Sequence, residues 1–515
     1  MLLYGALSGP LPKLGVVAVA VLAAVVMLHP RARVQALAML GALVLAPVLL
    51  LGDIWHSSQL SIVHRHPAVA AVGAVVALVA VVVAALVVRR RPVLLPCAVI
   101  LALPFRIPIQ AGGATASANL LVPLYFVVAA GALAFIGGTL RGTSPAEAAS
   151  APPRSEPARW LERGLAAYVV LYAVQAAYSS NFEKALEQMV FFYVPFALAF
   201  CLLRRIDWTP RLARGCLALL AGLAVLFALV GFVEYATKSI FLNPKLLAAN
   251  QDHAYFTVNS VFFDPNIFGR FLALVMIMLG AVLLYARRQR TQLVTLAVLA
   301  ILWGGLVLTL SRSSLGALLI GLGTLAALRW RVGRAVFVAA GVVALAVAAV
   351  AISPTTFGLN QGLNGASNGR PDLVSGGIDL FGDRPLWGFG SGSFETEYGA
   401  HHRQPGQTTI ASHTIPITVA AEQGLIGELV YLAVVAAALV TLLERSRADP
   451  ARVAVAAAFV ALLFHTLLYA DFLEDPITWT LLAIGVALSG RPPPALETGT
   501  TSEQRHPGRL ETIRT

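Results

Sequence analysis

Long apolar runs alternate with short polar or basic clusters along almost the whole chain. Val69–Val88 and Phe271–Tyr285 carry no charge, and a bilayer-crossing helix needs roughly 20 predominantly apolar residues. Read with that ruler, the pattern predicts an all-α polytopic membrane protein of about 12 to 15 spans. Val93–Leu103, Leu165–Tyr178, Ala335–Ile352, Leu425–Leu443 and Ile477–Leu488 are among the expected spans. The first apolar run lacks a clear cleavage site and more spans follow it, so it reads as a span and not a removable signal.

The polar interruptions divide the chain. Residues 1–140 and 164–353 form two groups of transmembrane helices, separated by a Pro-, Ala- and Ser-rich segment, 141–163, that reads as a cytoplasmic linker. Residues 354–413 form a long external loop, 414–490 the last transmembrane helices, and 491–515 a disordered cytoplasmic tail. Loops as long as 354–413 are usually functional or disordered. Leu373, Leu380, Phe381, Trp387, Phe389, Phe394 and Tyr398 give this one enough apolar surface to fold onto the membrane domain.

Composition agrees: 58% of residues are hydrophobic and only 12% charged, against about a quarter charged in soluble domains. The net charge of +12 does not point to nucleic acid. Most of the Lys and Arg sit in every second loop, among them Arg89–Arg91, Arg204–Arg214, Arg287–Arg290 and Arg445–Arg452, and positive loops stay in the cytoplasm. Three cysteines in or beside apolar runs do not build an external disulfide framework.

Several residues on the opposite, external side can carry chemistry. Arg312, in Ser311–Arg312–Ser313–Ser314 between two spans, is either a side chain snorkelling to headgroups or an anion ligand. Arg370 opens a helix start with Pro371; it either pairs with Asp372 or Asp383, or presents a fork to phosphate oxygens. His413, before Thr414–Ile415–Pro416, is either a capping histidine or a group able to take a hydroxyl proton. Glu422 lies nine residues on, half a turn out of phase with His413 in a straight helix, so the two meet only if the segment breaks. A break fits, since Leu425–Leu443 alone is long enough to span. The run Gly388–Gly392 lacks a preceding strand and reads as a tight turn against a ligand or the membrane surface. Asp264–Pro265–Asn266 reads as a capped helix start, which puts Arg270 one turn inside the membrane, where a charge needs a partner or a function. Glu234 and Lys238 are spaced for an i, i+4 pair. Asp471, Glu474 and Asp475 read either as a cation site or, more commonly for such a cluster, as a solvated acidic turn, and no Asp–x–Asp metal pattern is present.

The order of these elements resembles the O-antigen ligase and O-antigen polymerase superfamily. Thr309–Leu310–Ser311–Arg312 is followed by Gly369–Arg370 and then by Pro385–Leu386–Trp387–Gly388–Phe389–Gly390–Ser391–Gly392. Ser412–His413–Thr414 and Glu422–Gln423–Gly424 complete the pattern. Asn266–Ile267–Phe268–Gly269 is similar to that family's Asn–x–x–Gly helix start. Thr414 and Ile417 depart from the ligases, which usually carry a polar amide or serine and a leucine there. The resemblance implies a metal-independent, inverting glycosyl transfer at the external face of a bacterial plasma membrane, with no cofactor. The donor would be a glycan on polyprenyl diphosphate and the acceptor a glycan or lipid hydroxyl. It implies catalytic roles for His413, Arg312 and Arg370, and substrate contacts for Arg270, Asn266, Gly390, Gly392 and Glu422. Ligase and polymerase are not separated by it. A transporter or flippase of lipid-linked saccharides is the competing class. It would favour charges lining the membrane interior and helices broken near the midplane.

Overall fold

The structure, a computed structural model, describes residues 9–55, 64–105, 107–110, 117–142, 154–241, 250, 256–330, 370–402, 414–469 and 471–490. Among these residues nine helical stretches are long and apolar enough to cross a membrane, and the protein is a multi-pass helical membrane protein. They are α1 (Pro10–Leu28), α2 (Ala32–Ile54), α3 (Pro67–Arg90), α5 (Val122–Leu140), the stretch Phe182–Leu203, α9 (Pro210–Thr237), α10 (Pro265–Tyr285), α11 (Gln289–Leu308) and α15 (Ile415–Leu443). Phe182–Leu203 is composite: α7 (Phe182–Gln188), a π turn over Met189–Tyr193, and α8 (Val194–Leu203). α3 leaves Val69, Val72, Val75, Leu78, Val79 and Val83 exposed. A helix apolar on every side is at rest only where its surroundings are apolar too.

The expected span Val93–Leu103 is short in sequence and short in the structure. Its helix, α4 (Leu94–Ala102), rises only about 14 Å. It then gives way to an antiparallel hairpin, Ile107–Gln110 with Ser117–Leu120, the one departure from an all-helical fold among the described residues. α17 (Pro476–Ser489) is also short, about 21 Å. The expected span Ala335–Ile352 lies outside the described residues, as do 354–369 and 403–413 of the long loop and the tail 491–515.

α6 (Glu156–Ala176) begins inside the segment expected as a linker. Ser155 caps it, its hydroxyl accepting from the Ala158 amide, and Glu162 is buried between Arg154 (2.7 Å) and Arg204 (2.7 Å). Arg204 also donates to Met27 O at 2.8 Å. Part of the basic cluster read as a topological marker is therefore a buried tie between α1, α6 and α8. The long arginine keeps its charge hydrogen-bonded where an isolated one would be prohibitive.

α6 runs through the centre of the bundle against α1 and α15, and the small residues on its path allow close approach, Gly164 lying against Val434. α10, α12 (Arg312–Arg329) and α16 (Pro450–Thr466) form a second layer, where Gly321 is packed by Ile277 and Ala461. The expected Glu234–Lys238 pair does not form. α9 ends at Thr237 and Lys238 turns left-handed (φ 52°), which breaks the helical spacing. Glu234 instead accepts from the amides of Phe241, Asn259 and Ser260, and the Lys238 ammonium sits 3.5 Å from the Tyr235 ring centre.

Candidate functional site

At the end of the bundle opposite Arg204 lie the starts of α10, α12 and α15. The first start is that of α12. Leu310 is left-handed (φ 51°), and the turn it makes lets Ser311 cap the helix, with Oγ accepting from the Ser314 amide. Ser311 Oγ donates to Asn266 Oδ1 at 2.7 Å, and Ser314 Oγ to Asn266 O at 3.2 Å. Asn266 is thus a brace between α10 and α12. Gly269 makes the contact possible, because a Cβ there would meet Ser314 Oγ at 2.7 Å.

Arg312 is the first residue of α12, with an exposed side chain. A cation at a helix N-terminus opposes the helix dipole, but the same placement joins a guanidinium to amides that attract anions. Arg370 has the equivalent place, the first residue of α13 (Arg370–Asp383). His413 lies outside the described residues. Its neighbour Thr414 immediately precedes α15 and donates from Oγ1 to Leu467 O (3.2 Å), two residues beyond His465.

His465 was not singled out from sequence. It is fully buried near the end of α16, its Nε2 3.2 Å from Ser313 Oγ and 3.3 Å from Ser314 Oγ. It abuts the turn that carries Arg312. An ionisable residue inside an apolar run was the available signal.

Arg270 has a protein partner: its Nη2 lies 2.8 Å from Asp475 Oδ2, both side chains buried, and Nη1 reaches Asp471 O at 3.4 Å. Asp475 also caps α17, Oδ1 accepting from the Ile477 amide. The segment Asp471–Pro476 is therefore not a solvated acidic turn. Phe472 and Leu473 are buried in it, and Glu474 accepts from Gln188 at 2.6 Å. Asp264 caps α10 as expected, and it accepts a hydrogen bond from Tyr469. Burial, reinforced by Asp264 and Asp471, holds the Tyr469 phenol well above its ordinary pKa. No group of three metal-ligating side chains occurs among the described residues.

The glycine run is a lock. Gly388, Gly390 and Gly392 all have positive φ (65°, 98° and 76°), as does Gly424 (65°), which breaks α15 one residue before the expected Leu425. The close approach these glycines allow is to protein backbone. A Cβ on Gly388 would lie 2.3 Å from Glu422 O, and one on Gly390 2.4 Å from Ser179 Cα. Gly390 N donates to Glu422 O (2.7 Å) and Leu425 N to Pro385 O (2.7 Å). The Glu422 carboxylate accepts from the amides of Gly392 (2.8 Å) and Phe394 (3.1 Å). That satisfies the first amide of α14 (Phe394–His401). Tyr178 and Ser179 fasten the other side, donating to Trp387 O at 2.6 Å and Ser391 O at 2.8 Å. The described part of the long loop is thereby sewn to the membrane domain, as its apolar content anticipates.

Beside Glu422 a cavity of about 40 Å³ is lined by Tyr168, Tyr172, Tyr193, Gln423 and Glu474. Gln423 donates to the Tyr168 hydroxyl at 3.0 Å, and Tyr172 to Gln188. The i, i+4, i+7 series Tyr168–Tyr172–Gln175 on α6 is a polar face whose helical spacing is visible in sequence.

Residues 296–432 match the family model described as O-Antigen ligase. No curated protein matches the chain. The matched segment contains Arg312, Arg370, Gly390, Gly392, His413 and Glu422, and excludes Asn266, Arg270 and His465. It bears out the resemblance to the O-antigen ligase superfamily and with it a glycan-transfer chemistry of that general type.

Proposed function

We propose, from the premise of that ligase-type segment, that the protein transfers or polymerises a glycan from a polyprenyl-diphosphate carrier onto an acceptor hydroxyl. The reaction takes place at the membrane face opposite the basic clusters. The observation that carries this reading is the pair of arginines at helix starts, Arg312 on α12 and Arg370 on α13. With them goes Thr414, the neighbour of His413, tied to the end of α16 beside His465.

In the proposed step the acceptor oxygen attacks the anomeric carbon. The bond from that carbon to the diphosphate oxygen breaks, a glycosidic bond forms with inversion, and His413 takes the hydroxyl proton. The departing diphosphate gains negative charge. Fixed guanidinium groups and helix amides stabilise such charge without reorganising, which is often the largest single contribution to rate. Proton transfer to a placed base adds about 10² to 10⁴. The chemistry needs no metal if both arginines bear on the diphosphate. Asn266 and Glu422 serve this site as braces, the one holding the Arg312 turn and the other the glycine loop.

The test is reconstitution with a defined polyprenyl-diphosphate oligosaccharide, the donor and product followed by mass spectrometry. Release of polyprenyl diphosphate with an elongated or transferred glycan is expected, and is lost in Arg312→Ala, Arg370→Ala and His413→Ala. Full activity in all three at normal expression would sink the proposal. A ladder of products identifies a polymerase and a single transfer a ligase.

A further inference from the structure

A second cavity among the described residues lies away from that site. It has a volume of about 420 Å³, is lined by α4, α9, α10, α16 and α17, and opens on one side. Along α10 it is lined by Phe271, Val275, Met278 and Tyr285, a stripe rising about 21 Å. Along α17 the lining runs from Ile477 to Leu488. The cavity is therefore a slot parallel to the helices, apolar along its length as an extended hydrocarbon chain is.

The charged lining residues both belong to the basic end: Arg214 at the start of α9 and Asp449 at the start of α16. Asp449 is occupied in capping, Oδ1 accepting from the Ala451 amide at 2.8 Å. Arg214 is exposed, and its Nε is held by Pro210 O at 3.0 Å, which pins the guanidinium at the rim. At the other end the slot stops at Phe271 and Ile477, next to the buried Arg270–Asp475 ion pair.

We propose that this slot holds one acyl chain of an anionic phospholipid from the leaflet at the basic end, with its phosphate on Arg214. An empty apolar void forfeits dispersion contacts along its lining, and such voids stay dry. Hydrocarbon is what the surroundings supply. Lipid tails are as apolar as the lining, so tail burial alone gives no selectivity. The head decides, and a basic residue near an anionic headgroup gives a preference of about fivefold. The glycan carrier is the poorer occupant. Its diphosphate belongs at the opposite end, beside Arg312, and its chain would have to pass the Arg270–Asp475 pair.

The full-length protein, equilibrated in nanodiscs of equal phosphatidylglycerol and phosphatidylcholine with identical acyl chains, is released and its retained lipids counted by native mass spectrometry. About fivefold more phosphatidylglycerol than phosphatidylcholine is expected, falling to parity in Arg214→Ala. In Ala281→Trp, which fills the slot from α10, the retained lipid should disappear. Phosphatidylglycerol with a photoactivatable group in its tail, used on the unaltered protein, should label the Phe271–Tyr285 peptide, a readout that survives if the tryptophan variant does not fold. Parity in the unaltered protein, no retained lipid, labelling confined to other helices, or retention unchanged in a folded Ala281→Trp would each overturn the proposal. Displacement of the label by polyprenyl phosphate would overturn it too and give the slot to the carrier. None of these readouts depends on glycan transfer.

Discussion

Gly424→Ala should unfasten the loop without unfolding the bundle. The glycine holds φ 65° and ψ −166° inside α15, a region an L-residue occupies at a cost of about 1–3 kcal/mol. A Cβ would also lie 2.4 Å from Leu386 C and O and 2.6 Å from Trp387 N. These are backbone atoms, so relief requires the loop to move. Moving it sacrifices the Leu425–Pro385 and Gly390–Glu422 hydrogen bonds, each about 0.5–1.5 kcal/mol. The sum is about 2–6 kcal/mol against the docked loop, or at least a roughly thirtyfold larger open population. Hydrogen exchange resolved to residues 388–394 measures it directly, with glycan transfer assayed on the same sample. Gly382→Ala is the control: nothing lies within 4 Å of its added Cβ, and alanine in a helix is favoured by up to about 1 kcal/mol. Unchanged protection of Gly388–Phe394 in a folded Gly424→Ala protein would refute the lock.

Glu422→Gln should raise exchange at Gly392 and Phe394, since an amide can accept from one of the two N–H groups and the other then costs about 1–3 kcal/mol; no change there would mean the carboxylate is not what holds the loop. Arg270→Met alone should destabilise by about 3–5 kcal/mol through the stranded Asp475 charge. Pairing it with Asp475→Asn, which can still cap α17, should recover most of that loss in thermal unfolding, and a double variant no better than the single would argue against the pair. Ser311→Ala removes the α12 cap and one of the two Asn266 bonds, for about 0.5–2 kcal/mol, and should lower the melting temperature; an unchanged melt would deny the turn its structural role.

The helices were legible because each apolar run is its own evidence. Val69–Val88 can be nothing but a span in lipid, and Asp264 before Pro265 announces the start of α10. Reading failed where the answer lies in a distant partner. Nothing near Gly390 in sequence says that Ser179 will pack on it, nor near Arg270 that Asp475 will neutralise it. The i, i+4 rule misled at Glu234, because a helix ending at Thr237 no longer obeys it. The half-length of α4 was legible in principle: the apolar run before Pro104 is too short to cross. The helix starts at Arg312 and Arg370 and the kink before Leu425 could be read from the local sequence. The bracing role of Asn266 and the buried His465 needed the fold.

The π turn at Met189–Tyr193, closed by Val194 N–H to Met189 O, is the trace of an extra residue lodged in a span. Wide turns of this kind recur near functional sites. Its effect is angular. Below it α8 is buried on nearly every side; above it α7 is turned so that Gln188 meets both Tyr172 and Glu474. Deleting one residue from the turn would restore an ordinary helix and swing α7 by about 100°, carrying Gln188 off both partners while leaving the apolar composition of the span unchanged. By hydropathy alone the shortened chain would look the same.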